Sequence, residues 1–127
     1  MLENYTIVEK LGEGMYGTVY LVQNSKGEKF ALKSVKVNPF TIEESMKEVE
    51  ATKMLEHPNL VKVYDFKSSE ESIEILMEYC EKGNLHSCLK SNIFKDNWEL
   101  SLRVFHQIIN AGVAINRKGV IHRDIKP

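Results

Sequence analysis

Apolar residues alternate with polar ones over the first third of the chain, and the period later lengthens. The runs from Tyr5 to Leu11 and from Thr18 to Gln23 are β-branched and aromatic, so they predict strands. Lys29 to Val35 reads the same way, with Phe30, Leu32 and Val35 among polar neighbours, and Asn24–Glu28 before it is a hairpin loop. A second strand pair, Val61–Phe66 and Ser72–Met77, flanks the turn Lys67–Glu71. Between strands three and four, Thr41-Ile42-Glu43-Glu44 fits a capping box, with Thr41 accepting from the Glu44 amide. The helix it opens is expected to run to about Glu56 and to stop at His57-Pro58, because proline disfavours helical geometry in the residue before it. Asn84 to about Asn92 predicts a short helix, and Glu99–Lys118 a longer one closed by Gly119. Within the long helix Leu102, Phe105, Ile109 and Val113 recur at spacings of three and four and predict a buried stripe. Val104, Ile108 and Ile115 add apolar surface on other sides, so the helix expects protein around most of its circumference. The order is β-β-β-α-β-β-α-α, an α+β chain with a mainly antiparallel sheet first and helices after it.

Composition excludes more than it assigns. At 43% apolar and 28% charged over 127 residues, the chain can bury a core without disulfides or a structural metal. Length alone is that of one domain. The net charge of −1 gives no electrostatic case for nucleic acid or a membrane surface. The longest stretch free of charged side chains, the 13 residues from Val104 to Asn116, is too short to span a bilayer. The opening Met1-Leu2-Glu3-Asn4 shows no basic region before an apolar run, so no signal peptide is expected. Cys80 and Cys88 fit no zinc spacing and are too few for a disulfide framework, and the four histidines are scattered. The thiols are therefore expected to be reduced, the location cytoplasmic or nuclear, and metal ligation by His or Cys absent.

Gly12-Glu13-Gly14-Met15-Tyr16-Gly17-Thr18-Val19 is a G-x-G-x-x-G-x-V. The glycine spacing also marks dinucleotide-binding folds, but there it opens a helix. Here both flanks are strands, so the glycines form a hairpin in which backbone amides can approach phosphate oxygens without Cβ obstruction. A bare glycine-rich hairpin tip is the structural alternative. On the third strand Ala31 and Lys33 share one face while Leu32 turns to the other. A small residue beside an ammonium suits a flat base with a phosphate beyond it. A solvated strand lysine is the commoner fate of that residue type. Glu48 lies on one helical stripe with Ala51, Thr52 and Leu55; if that stripe faces the sheet, the carboxylate needs a cation, and Lys33 is the natural one, while a solvated surface glutamate like Glu43, Glu44 and Glu50 is the alternative.

His122-Arg123-Asp124-Ile125-Lys126-Pro127 completes an ordered set that also holds His57-Pro58-Asn59, Met77-Glu78-Tyr79 and Gly83-Asn84-Leu85. With these motifs in sequence the chain resembles the start of a eukaryotic-type protein kinase domain, and Lys126 two after Asp124 resembles its serine/threonine branch. The resemblance implies a protein kinase-like fold: residues 1–80 as a small lobe and hinge, a five-stranded antiparallel sheet plus one helix, and residues 81–127 as the start of a helical lobe. It implies ATP as cofactor. Leu11, Gly12, Glu13, Gly14 and Gly17 would cover the nucleotide, Val19 and Ala31 would pack on adenine, and Met77 would control access behind it. Backbone groups of Glu78 and Cys80 would bond the adenine edge, and Asn84 stands where the family often has an acidic residue at the ribose. Lys33, fixed by Glu48, would hold the α- and β-phosphates; Asp124 would accept the proton of a Ser or Thr hydroxyl on a protein substrate, and Lys126 would steady the transferring phosphate. Arg123 matches kinases regulated by activation-loop phosphorylation. Thr52 stands where an aliphatic core residue is usual, and Asn116 where a histidine is frequent.

In the family the asparagine that binds Mg²⁺ falls five residues after the aspartate, so the Mg²⁺ ligands are expected beyond residue 127. These 127 residues alone are then expected to transfer little or no phosphate, and the long helix to be poorly covered, with low solubility. The parent would be an ATP-dependent serine/threonine kinase; the alternative is a short non-catalytic nucleotide-binding or decoy protein of the same ancestry.

Overall fold

The computed structural model describes residues 4–15 and 17–119. Eight elements follow in the order β1 (Thr6–Gly14), β2 (Gly17–Gln23), β3 (Lys29–Lys36), α1 (Ile42–Lys53), β4 (Val63–Ser68), β5 (Ser72–Glu78), α2 (Leu85–Lys90) and α3 (Trp98–Arg117). They group into two compact units. One holds the described residues up to Glu56 together with Val61–Tyr79; the other holds His57–Leu60 and the described residues from Cys80 onward.

The first unit is a five-stranded sheet in the order β1-β2-β3-β5-β4, antiparallel throughout. It is the α+β arrangement that the sequence predicts. The β2–β3 hairpin closes through Asn24, whose side-chain oxygen accepts from the Lys26 and Glu28 amides at 3.0 and 2.9 Å. This local bonding is why asparagine recurs at turns. Pairing then sets the faces. Tyr20 lies opposite Leu32, and Leu32 opposite Leu76, so Leu32 turns to a face where Val22, Leu32 and Leu76 form the core under Tyr5, Tyr20 and Phe30. Phe30 meets Tyr5 and Tyr64 edge to face, with ring centroids 5.6 and 5.2 Å apart. Each of the three buried aliphatics contributes about 1.5–3 kcal/mol of transfer free energy. The opposite face carries Leu21, Ala31, Val63 and Ile73, also buried.

Two expectations for α1 are corrected. The capping box does not form: Thr41 makes no side-chain cap, and its hydroxyl instead donates to the Asn38 carbonyl at 3.2 Å. The preceding turn, closed by the Thr41 amide on that same carbonyl, offers the hydroxyl a nearer partner than the helix does. The helix also ends at Lys53, not Glu56, because the Leu55 amide turns to the Thr52 carbonyl in a tightened last turn. Its half-buried positions are Ile42, Ser45, Met46 and Val49, while Glu48, Ala51 and Thr52 are exposed. Thr52 bonds the Glu48 carbonyl at 2.9 Å, so its polar side chain is satisfied without burial.

In the second unit both helices begin at asparagine caps, Asn84 accepting from the Ser87 amide at 2.8 Å and Asn97 from the Leu100 amide at 3.1 Å. Gly119, at φ 73°, closes α3 with its amide on the Asn116 carbonyl. The apolar stripe of α3 is not buried: Leu102, Phe105, Ile109 and Val113 are all exposed, Phe105 to 61%, the poor covering expected for the long helix in these 127 residues. Within this unit α2 is short, and Leu85, Leu89 and Phe94 line only an open groove of about 190 Å³ with Val104, Phe105 and Ile108.

Candidate functional site

The sheet register assembles the first unit's candidate residues. Val19 on β2 pairs with Lys33 on β3, and Lys33 with Ile75 on β5. Two residues along, Leu21 pairs with Ala31 and Ala31 with Met77. Paired residues share a face, so Val19, Ala31, Lys33 and Met77 stand together on the side opposite the Val22–Leu32–Leu76 core. Ala31 is buried there, Val19 and Met77 are half-buried, and Lys33 is exposed.

The glycine hairpin adds to the same face, and its three glycines differ. A Cβ on Gly17 would lie 2.0 Å from the Ser34 carbonyl oxygen and 3.0 Å from the Val35 Cα, so β3 itself excludes any side chain at this position. Gly12 and Gly14 meet nothing within 4 Å. Gly12 pairs with Val19 and Gly14 with Gly17, so the open space before them lies on the Val19–Lys33 face. Packing within the chain demands the third glycine and leaves the first two clear. A Cβ at either would enter open space on that face, a cradle in which a polyphosphate could approach backbone amides.

Glu13 does not join that face. It pairs with Thr18, one residue off the Gly12 and Gly14 positions, and its carboxylate accepts from the Lys10 ammonium. That hydrogen bond, reinforced by the opposite charges, raises Lys10 above the ordinary lysine value and lowers Glu13 below the ordinary glutamate value. Only the Glu13 backbone is left to serve the cradle. Sequence reading missed Lys10, because strand alternation puts residues three apart on opposite faces. The register slips between Lys10 and Gly12, making Leu11 the extra residue of a bulge, and this returns Lys10 and Glu13 to one face.

Lys33 and Glu48 are not brought together. The ion pairs among the described residues are Lys10–Glu13 and Lys53–Asp65, the latter at 3.6 Å. The packing of α1 gives the reason. It meets β4, where the Lys53 ammonium also stands 5.6 Å from the centre of the Phe66 ring, and it turns Ile42, Met46 and Val49 inward. An exposed ion pair contributes about 0–1 kcal/mol, less than burying an aliphatic side chain, so apolar contact sets the helix rotation.

At the end of β5 the Glu78 amide donates to the Lys62 carbonyl at 2.8 Å, and its carboxylate accepts from the Lys62 amide at 3.2 Å. In the second unit the Cys80 carbonyl accepts from Gly83 at 3.1 Å, and the Asn84 side-chain oxygen is held by both the Ser87 amide and hydroxyl. Asp124 and Lys126 lie outside the described residues. Among the described residues there is no group of three or more His, Cys, Asp or Glu able to hold a metal ion, and no helix long and apolar enough to cross a membrane.

Comparison with known proteins agrees with this layout. The profile of the protein kinase domain matches residues 5–127. Cytokinesis protein sepH of Aspergillus terreus is 38% identical over 127 residues, covering 98% of this chain and 9% of that protein. An Aurora kinase of Candida glabrata is 33% identical over 132 residues, covering 99% of this chain and 36% of its own length. Serine/threonine-protein kinase SSK22 of Saccharomyces cerevisiae is 32% identical over 123 residues, covering 92% of this chain and 9% of that protein. The chain thus spans from about a tenth to about a third of the length of these relatives.

Proposed function

This chain belongs to the protein kinase domain family, and we propose that it serves ATP-dependent phosphoryl transfer to serine or threonine hydroxyls of a protein substrate. One observation carries the reading: Val19, Ala31 and Lys33 share a sheet face with two glycines that nothing among the described residues requires to be bare. Val19 and Ala31 offer adenine a small apolar platform, and Met77 beside Ala31 limits depth behind it. Gly12 and Gly14 admit the phosphates, and Lys33 meets the α- and β-oxygens. Backbone groups of Glu78 and Cys80 hold the adenine edge. Asn84 holds the family's ribose position, and its side-chain oxygen is engaged as a helix cap.

Transfer also requires Glu48 to fix Lys33. The two are apart here, so α1 must rotate its carboxylate inward before chemistry. Asp124 orients the substrate hydroxyl and accepts its proton as the hydroxyl oxygen bonds the γ-phosphorus, the bond from that phosphorus to the β,γ-bridging oxygen breaks and ADP leaves, and Lys126 offsets charge on the transferring group. When bound, Mg²⁺ neutralises the β- and γ-oxygens. The relatives' names support the serine/threonine branch, and a composition of two cysteines fits a cytoplasmic or nuclear location. The separation of Lys33 from Glu48 favours a second reading, nucleotide binding without transfer.

Titration with ATP of this chain extended through the expected downstream Mg²⁺ ligands, paired with γ-phosphate transfer to a degenerate Ser/Thr peptide library, tests both. ATP binding with transfer that D124N abolishes supports the kinase reading. Binding without transfer supports the second. Absence of ATP binding overturns both.

A further inference from the structure

Glu13 is the one acidic residue of the glycine hairpin, and it sits between the two glycines whose open space faces Val19 and Lys33. A carboxylate at that point repels any polyanion entering the cradle. Two features hold its charge away. The bulge at Leu11 puts the Glu13 side chain on the face of Thr18 and Tyr20, opposite the cradle, and Lys10 meets it there through a direct ion pair. Both side chains are exposed, so the pair adds little to folding stability. Its effect is on the field at the hairpin.

Resting on the nucleotide reading above, we propose that Lys10 is a positioning residue for the polyphosphate: it neutralises Glu13 and holds that carboxylate on the far face, so that the hairpin amides meet the phosphates without an opposing charge. Lys10 acts through Glu13 and touches no phosphate itself. Its effect therefore scales with ligand charge and disappears once the carboxylate is removed.

The test titrates the full chain with ATP and with adenosine in the wild type, K10M, K10R and the double variant K10M/E13Q, with circular dichroism confirming that each folds. In K10M the ATP Kd rises roughly fivefold at low salt, while the adenosine Kd stays unchanged and the ATP effect fades near ~1 M salt. K10R retains wild-type affinity, and K10M/E13Q returns to it. An unchanged ATP Kd in K10M overturns the inference, as does an equal loss of ATP and adenosine, which would mark a merely structural role. A double variant as weak as K10M also overturns it, because Lys10 would then contact phosphate directly. A wild type that binds adenosine and ATP equally removes the inference but leaves a nucleoside site. A wild type that binds neither removes the nucleotide reading and this inference with it.

Discussion

At Gly17 a methyl group would stand 2.0 Å from the Ser34 carbonyl, while at Gly12 it would meet open space. Backbone cannot rotate away as a side chain can, so G17A should destabilise the chain by about 1–3 kcal/mol in chemical denaturation. G12A should leave stability within about 0.5 kcal/mol yet weaken ATP binding, because its methyl enters the cradle. A destabilised G12A, or a stable G17A, would reverse these assignments. Lys10 and Glu13 make a pH prediction. Glu13 is lowered, so its contribution is present above the ordinary carboxylate value of 4.5 and is lost as pH falls through its folded value. Lys10 is raised, so its contribution is complete below 10.5 and is lost as pH rises through its folded value. The stability difference between wild type and E13Q should thus be small, flat between about pH 5 and 10, and shrink at both ends. A difference that grew on acidification would contradict this pairing. The shared face of Ala31 and Lys33 was legible from alternation alone. The Lys10–Glu13 pair was not, since a bulge is a property of two strands in register.

Elements show where local signals compete. Asn97 bonds the Leu100 amide and Thr41 bonds no helical amide, although both precede helices. Asn97→Ala should cost about 1 kcal/mol and reduce far-ultraviolet helicity, whereas Thr41→Ala should cost under about 0.5 kcal/mol. Equal losses would restore the capping box. The sequence legibly placed the five strands and the short and long helices, because period and turn chemistry are local. It left the inward side of α1 open. Ala51, Thr52 and Leu55 with Glu48 form one possible stripe and Ile42, Met46 and Val49 another, and contact with β4 chose the second. The Lys33–Glu48 pair depended on that rotation. Like the Lys10–Glu13 pair, it turned on contacts between segments that spacing along the chain does not show.

Over the whole molecule, burial is unevenly distributed. All seven buried apolar residues among those described, from Leu21 to Leu76, belong to the sheet; α2 and α3 bury none. Hydrogen exchange should therefore show strong protection for the amides of β2, β3 and β5 and weak protection along α3, with two-stage unfolding of the 127-residue chain. A single cooperative transition with α3 as protected as β3 would contradict the prediction. Leu76→Ala, at 1% exposure in the sheet core, should cost about 2–5 kcal/mol, and Phe105→Ala on exposed α3 far less, by thermal denaturation. By itself the sequence determined the element order, the glycine hairpin, the sheet face of Lys33 and the kinase-like motif set, because each follows from residue type and spacing along one strand or one turn. Tertiary structure decided which glycines are bare for packing and which for space, where Glu13 points, and that Glu48 lies away from Lys33. Those outcomes turn on register and helix rotation, where contacts between distant segments outweigh a local preference of a kilocalorie or less.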